Sequence, residues 1–382
     1  MKIGLLGIGT VGSGVLEQLS GREDISIKKI LVRRDRPELG SLATYSFEEI
    51  LNDPEIDTIV EVMGGLHPAY EYVLSALNAG KNVATANKLM LSYHFEELIN
   101  AAMHNNVKLA IDASVGGGIP YLHNLLRGSR ADTIRSLFGI VNGTTNLILD
   151  TMQSNDSDFA DVLAQAQRAG FAEADPSADI DGIDARSKLC ISASIAFGRY
   201  LNPEEIAVCD IRHITREDVV AFKKLGYVCR LLVRAESLGD GRVCAFVEPT
   251  LLVPSEPEST VRRGDNLIGL VGDNSGKQYF FGQGAGKAPT AFSVILGLTD
   301  ILSNTQTMDR CPRGKAMIDN SQVAHRYYVR TTSRLSIPAE KLRSCGDANI
   351  YITSPITVDR MHALAASLRM RDPNLFFAGI RG

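Results

Sequence analysis

Residues 2–6 form a short apolar run that stops at Gly7-Ile8-Gly9-Thr10-Val11-Gly12, after which Val15, Leu16 and Leu19 recur at helical spacing. This pattern predicts strand, tight turn and helix. A second extended run at 25–32 precedes a short helical stretch at 47–51 and a buried strand at 58–62. Helix at 70–79, strand at 82–85, helix at 94–104 and strand at 108–111 follow. Strands alternating with helices predict a doubly wound, Rossmann-type α/β domain, with a parallel sheet covered on both faces.

The pattern changes after the glycine cluster in DASVGGGIP, where successive glycines open backbone angles closed to other residues. Beyond it come a strand at 136–142, the helical LAQAQRAG, an acidic turn and a long apolar helix at 184–198. Strand-like stretches at 228–235, 242–247 and 278–281 suit an antiparallel sheet. GQGAGKAPTA then precedes an apolar helix at 292–302, expected to return to the first domain. The predicted organisation is a dinucleotide domain, 1–117, completed by 283–309; an α+β substrate and dimerisation domain, 118–282; and a short C-terminal region, 310–382.

Composition narrows the classes. The chain has 382 residues, 45% hydrophobic and 22% charged, with a formal charge of −4. That is a globular protein without a basic stripe, so nucleic acid is not an expected partner. The apolar runs stay below the roughly 18 residues of a membrane span, and the first strand begins without a leader pattern, so the expected location is cytoplasmic, with no membrane contact. The six cysteines, Cys190, Cys209, Cys229, Cys244, Cys311 and Cys345, stand apart from one another and read as reduced thiols, mostly buried.

Candidate chemistry begins at the glycine turn. Gly7 allows the tight turn, Gly9 lets a pyrophosphate approach the backbone, and Gly12 lets strand and helix pack closely, with the helix N-terminus facing the phosphates. About 20 residues later, where an acid selects NAD by binding the ribose, stand Arg33 and Arg34. These cations favour NADP(H), and Asp35 keeps NAD(H) open. A solvated strand end is the plainer reading of the arginines.

A second constellation lies in GFAEADPSADIDGIDARSKLCISASIAFG, where Glu173, Asp175, Asp179, Asp181 and Asp184 lead into a helix free of charge after Lys188. Helix capping accounts for some of these acids, and an Asp184–Lys188 pair one turn apart contributes roughly 0.2–0.5 kcal/mol. Lys188 at the mouth of a buried helix also has the setting of a general acid: desolvation lowers an ammonium's pKa and a carboxylate partner opposes the shift. Both readings stand on these residues alone. Lys88 follows the strand at 82–85, in the turn before the next helix, at the sheet end where doubly wound folds bind ligands; a surface lysine is the alternative.

Together the motifs GIGTVGSGV, EVMGG, TANK, SVGGGIP, GIVNGTTN, AEADPSADIDGIDARSKL and GQGAGKAPTA, in this order over residues 1–303, resemble the homoserine dehydrogenase family. The pairing of NGTTN with the acidic helix is the specific part. The resemblance implies NAD(P)-dependent interconversion of L-aspartate 4-semialdehyde and L-homoserine, in threonine, isoleucine and methionine biosynthesis, by a homodimer or homotetramer. It implies that Gly9, Thr10, Val11 and Gly64 line the cofactor site, with Lys88 near the nicotinamide end and Gly170 and Gly284 contributing. Glu173, Asp179 and Asp184 are implied to hold the substrate's amino group, Thr144 to stand near its carboxylate, and Lys188, with Lys88, to protonate the oxygen as hydride arrives. It further implies a structural sodium on Asp112, Val115, Gly117 and Ile119.

The chain departs from that family's pattern at three places: Asp112 stands where Glu is usual, Phe171 where Tyr is usual, and the tail is short. RYYVRTTSRL resembles the opening strand of an ACT domain, but the first helix expected after it is reduced or missing, which implies an oligomer-forming tail with weak or no threonine feedback. Two other classes share the glycine turn: a nicotinamide oxidoreductase for another amino or hydroxy acid, and a non-catalytic dinucleotide sensor. The first does not require NGTTN with the acidic helix, and the second does not require Lys88, Asp184 and Lys188.

Overall fold

Six parallel strands build the first sheet: β1 (Lys2–Leu6), β2 (Ser26–Leu31), β3 (Ala43–Thr44), β4 (Thr58–Glu61), β5 (Asn82–Thr85) and β6 (Leu109–Ala110). Their spatial order, β3-β2-β1-β4-β5-β6, reverses direction at β1, and ligands of such sheets bind at the carboxyl ends beside that switch. The computed structural model describes residues 1–305 and 312–381, so Cys311 lies outside the described residues. The sheet belongs to a compact unit of Met1–Thr133, Cys190–Asn202 and Gly282–Gly314.

Helix Thr10–Leu19 leaves β1 through the glycine turn, and helix Lys287–Leu302 packs against it. The contact depends on Gly14: a Cβ there would stand 2.8 Å from the Lys287 carbonyl oxygen and 3.0 Å from Ala291 Cβ. Val15, Ala291, Val294 and Leu298 are fully or nearly buried with Ile3 and Leu5 in one core. Each such aliphatic side chain contributes about 1.5–3 kcal/mol on burial. The returning helix starts at Lys287, a turn and a half before the apolar stretch at 292–302, because Pro289 is tolerated in a first turn.

The second unit, Ile134–Leu189, Pro203–Phe281 and Lys315–Gly382, is built on a larger mixed sheet. Its strands are β7 (Ile134–Ile140), β8 (Ala207–Val208), β9 (Val228–Gly239), β10 (Arg242–Leu252), β11 (Asp265–Gly272) and β12 (Gly276–Gln283), then β13 (Met317–Ile318), β14 (Ala324–Thr331), β15 (Ala339–Cys345), β16 (Ala348–Thr353), β17 (Ile356–Thr357) and β18 (Phe376–Arg381). The main path runs β12-β11-β7-β9-β10-β18-β14-β16-β15. The C-terminal strands thus extend the sheet of the central region: β18 pairs in parallel with β10 through Thr250 and Gly379. No helix stands between β14 and β15.

This joint is built around Glu248 of β10, which is 1% exposed. Its carboxylate meets His325 Nε2 of β14 at 2.8 Å and His362 Nε2 of helix Val358–Arg369 at 3.2 Å, and accepts from Tyr327 Oη at 3.4 Å. Burial pushes the Glu248 carboxyl up, but the two imidazoles outweigh it and hold the group below its ordinary value. Gly379 makes the space, since a Cβ there would lie 2.6 Å from Glu248 Oε1 and 2.7 Å from His325 Nε2.

Among the described residues Cys190, Cys209, Cys229 and Cys244 are buried thiols outside any disulfide, and Cys345 is half-buried. Among the described residues no helix is long and apolar enough to cross a membrane.

Candidate active site

The first unit carries an open cavity of about 840 Å³ at the carboxyl ends of β1, β2 and β4, lined by Gly7, Gly9, Arg33, Arg34, Arg36 and Tyr45 among others. Gly7 has φ +99°, the left-handed region that favours glycine. A Cβ on Gly12 would stand 2.2 Å from the Gly7 carbonyl oxygen, so this position admits only glycine while strand and helix stay this close. At Gly9 nothing lies within 4 Å of where a Cβ would be. Gly9 precedes the first helical residue, Thr10, and supplies no side-chain cap, which leaves the N–H groups of the first turn, with Val11, open to an anion. The space and the donors fit a dinucleotide's pyrophosphate.

Glu61, at the end of β4, organises the neighbouring turns. It is fully buried, accepts from Met63 N at 2.8 Å and Thr85 Oγ1 at 2.6 Å, and its carboxyl is pushed up by burial against these hydrogen bonds. Gly64 follows with φ +73° and open space at its Cβ position. Asn87 Nδ2 donates to the Gly65 carbonyl at 2.7 Å, tying this turn to the one that carries Lys88.

Lys88 is the first residue of the helical stretch Lys88–His104, which is kinked at His94 (φ −121°, ψ 22°), so a short helical segment, rather than a turn, carries Lys88 ahead of the part expected from 94. Asn87 is the reason: its side chain accepts from Met90 N at 3.1 Å, an N-cap that starts the helix six residues before its apolar spacing becomes regular. Lys88 is half-buried there.

In the second unit the acidic residues converge on Asn142, the first residue of NGTTN. Asn142 Nδ2 donates to Asp179 Oδ1 at 2.7 Å and to Asp184 Oδ2 at 2.8 Å, while its Oδ1 accepts from Thr145 N and caps helix Gly143–Asn155. Lys188 Nζ lies 2.8 Å from Asp184 Oδ2 and donates to the Val141 carbonyl at 2.7 Å; both charged side chains are less than a tenth exposed. Asp179 is pushed above its ordinary value by burial and by Asp184, against the hydrogen bonds of Asn142 and Thr144 and the charge of Lys188. The single hydroxyl hydrogen of Thr144 is also within reach of the Phe171 carbonyl, 3.1 Å from Oγ1.

Glu173 does not join this group: it is exposed, and its backbone carbonyl accepts from Gln167 Nε2 at 3.1 Å. Gly170, φ +76°, closes the helix Phe159–Arg168 region with open space at its Cβ position, and Phe171 beside it is 58% exposed. Asn142 and Glu61 were not singled out by sequence reasoning. A signal for Asn142 existed, since an Asn before a helix is a cap, but its reach to residues 37 and 42 positions away had none.

Around Asp112, the Oδ1 atom is buried without a hydrogen-bond partner, and burial, with a smaller push from Asp300 and an opposing pull from His123, raises the carboxyl to about 6. The Gly117 carbonyl accepts from Ser293 Oγ at 2.5 Å and the Ile119 carbonyl from Tyr121 N at 2.7 Å. A Cβ on Gly117, φ +55°, would collide with the buried Gly284 at 2.5 Å, so these two glycines hold the loops together. Among the described residues no group of three or more His, Cys, Asp or Glu side chains is arranged to hold a metal.

Two family models match the chain: the homoserine dehydrogenase NAD binding domain over residues 7–112, and homoserine dehydrogenase over 120–302. The chain is 38% identical over 320 residues to the homoserine dehydrogenase of Bacillus subtilis, covering 80% of this chain and 73% of that one. It is 39% identical over 327 residues to that of Synechocystis, covering 82% and 76%. The crystal structure of a homoserine dehydrogenase from Thiobacillus denitrificans superimposes with a TM-score of 0.87 at 32% identity, covering 100% of this chain and 98% of the other.

Proposed function

Because the chain belongs to the homoserine dehydrogenase family, we propose roles for its individual residues in the reaction of that family, the NAD(P)-dependent interconversion of L-aspartate 4-semialdehyde and L-homoserine. The observation that carries the assignment is the buried Asp184–Lys188 pair with Asn142 and Asp179 against it.

Asp179 and Asp184 receive the substrate's ammonium group, a charge-assisted contact that exceeds what helix capping needs. Thr144, through its hydroxyl, stands for the substrate carboxylate, and Glu173 is the outer member of the acidic set. When bound, a reduced nicotinamide supplies the hydride to the aldehyde carbon. Lys188 gives its proton to the oxygen as negative charge develops there, held in place by Asp184 and the Val141 carbonyl; in the oxidising direction the neutral amine takes the proton back. Gly7, Gly9, Thr10, Val11 and Gly12 hold the pyrophosphate, with Gly64, Gly170 and Gly284 keeping backbone close to the cofactor. Lys88 is assigned to the nicotinamide end and to assisting the proton transfer.

The raised Asp179 carboxyl makes this assignment testable by pH. An ammonium is bound by the ionised form, so as pH falls through the raised value Asp179 takes a proton and the KM for L-homoserine climbs, about tenfold for each further pH unit. Asp179→Asn is expected to show a high KM without that rise. A wild-type KM constant down to the acid limit of the fold overturns the assignment.

Arg33 and Arg34, exposed at the end of β2, favour NADP(H) over NAD(H). Steady-state kinetics are expected to give a higher kcat/KM with NADP than with NAD, and Arg33→Asp to reverse the order; an NAD preference in the wild type overturns this reading.

The orphaned Asp112 oxygen fits a hard monovalent cation, held with the carbonyls of Val115, Gly117 and Ile119. Sodium at about a hundred times its dissociation constant then raises stability by about 2.7 kcal/mol. Melting in sodium against choline chloride is expected to show the increase in the wild type and not in Asp112→Asn; equal melting temperatures in the two salts overturn it.

A further inference from the structure

The segment after β2 reads Arg33-Arg34-Asp35-Arg36, three cations around one acid. The two charges serve opposite ends in a dinucleotide site. A free carboxylate binds an unmodified ribose and repels a 2′-phosphate, whereas arginines bind the phosphate. Arg33, Arg34 and Arg36 line the cavity that also contains Gly7 and Gly9, and Asp35 is not among its lining residues. Arg36 lies 3.5 Å from Glu38, while Arg33 and Arg34 make no ion pair among the described residues.

Asp35 is occupied by another residue of the same wall. Tyr45 Oη donates to Asp35 Oδ1 at 3.3 Å. Tyr45 is delivered to this spot by β3, a strand of two residues: Ala43 and Thr44 pair in parallel with Ile30 and Leu31, and Val32 N donates to the Thr44 carbonyl at 2.9 Å. The residue after Thr44 therefore emerges beside the arginine segment. Thr44 is itself fixed, its Oγ1 donating to Glu49 at 2.8 Å and accepting from Ser46 N at 3.2 Å. The phenol's pKa is raised by desolvation first and then by Asp35, so the hydroxyl stays protonated and able to donate. The ring is 64% exposed, so its hydroxyl can be removed without opening a core.

We propose that Tyr45 is a cofactor-selectivity residue: its hydroxyl holds the Asp35 carboxylate away from the ribose, leaving Arg33 and Arg34 to face a 2′-phosphate without a competing acid. Selectivity then comes from removing a repulsion as much as from adding an attraction. The inference rests on the NADP(H) reading of this site.

The test uses the intact protein with Tyr45→Phe, which keeps the ring and deletes the donor. Dissociation constants for 2′-AMP and 5′-AMP by calorimetry, and kcat/KM for both cofactors, give two independent ratios. Tyr45→Phe is expected to lower both preferences for the 2′-phosphorylated ligand by about 5- to 10-fold, the size of one like-charge contact at a partly solvated site. Adding Asp35→Asn to that variant is expected to restore the wild-type ratios, which a stacking role for the ring does not predict. If the wild type prefers the 2′-phosphorylated ligands and Tyr45→Phe leaves both ratios within twofold, or weakens all ligands equally, the role of Tyr45 is overturned and the NADP reading stands. If the wild type prefers 5′-AMP and NAD, that reading falls and the proposal with it.

Discussion

Lys188→Met is expected to lower kcat for homoserine oxidation by about 10³-fold, within the range by which a positioned acid or base accelerates a proton transfer. Methionine keeps the length and apolar contacts of the lysine stem and removes the group that exchanges the proton. With the dinucleotide assigned to the glycine turn, away from Lys188 in the chain, the cofactor's dissociation constant is expected to stay within about threefold of wild type. Removing one partner of a buried pair leaves Asp184 uncompensated and costs stability, about 3 kcal/mol. The kinetics are therefore measured below the variant's melting transition. Lys188→Ala with added methylamine separates chemistry from structure: recovery that saturates with the amine indicates a missing proton carrier. A kcat within tenfold of wild type in either variant shows that Lys188 is a structural partner of Asp184.

Glu248→Ala is expected to be the most destabilising single change at the joint between the C-terminal strands and β10, by about 3–5 kcal/mol. It strips His325, His362 and Tyr327 of their common acceptor. Glu248→Gln, which can still hydrogen-bond, is expected to lose less. The held-down carboxyl sets the sign of the pH dependence. Its contribution is present above the ordinary glutamate value of about 4.3 and disappears as pH falls through the lower folded value. Urea unfolding followed by tyrosine fluorescence, in a protein with no Trp and with Tyr327 at the joint, measures both effects. A Glu248→Ala variant within 1 kcal/mol of wild type excludes this carboxylate as the joint's anchor.

The doubly wound unit was legible because its signals are local. Apolar runs of strand length, helical spacing at Val15, Leu16 and Leu19, and a glycine turn at the required offset all lie within a few residues of what they specify. Two-residue strands escape that logic. Ala43–Thr44 has no periodicity to read, yet it places Tyr45 against Asp35. The acidic helix was legible as a charge pattern, and its assembly was not. Asp179 and Asp184 are brought together by Asn142, and a side chain reaching 37 to 42 residues along the chain leaves no trace in spacing. Glu173 shows the converse. It belongs to the same acidic run, but it is exposed and stands apart from Asn142. The C-terminal strands were readable one by one. Their addition to the central sheet depends on pairings such as Thr250 with Gly379, between stretches of chain more than a hundred residues apart.

Gly14 has a consequence for how this protein comes to exist. The surface it shapes waits for Lys287–Leu302, and Gly297 of that helix reaches Ala110, whose Cβ would stand 2.8 Å from one added at Gly297. During synthesis, an emerging chain that has completed all six strands of the first sheet, at Ala110, still exposes Val15, Ala110 and their neighbours until the helix ending at Leu302 is made, about 190 residues later (302 − 110). At about 5–20 residues per second that is roughly 10 to 40 seconds on the ribosome with an unsealed apolar face. The nucleotide-binding unit starts ahead of the second unit in this chain and closes only after most of that unit has been made.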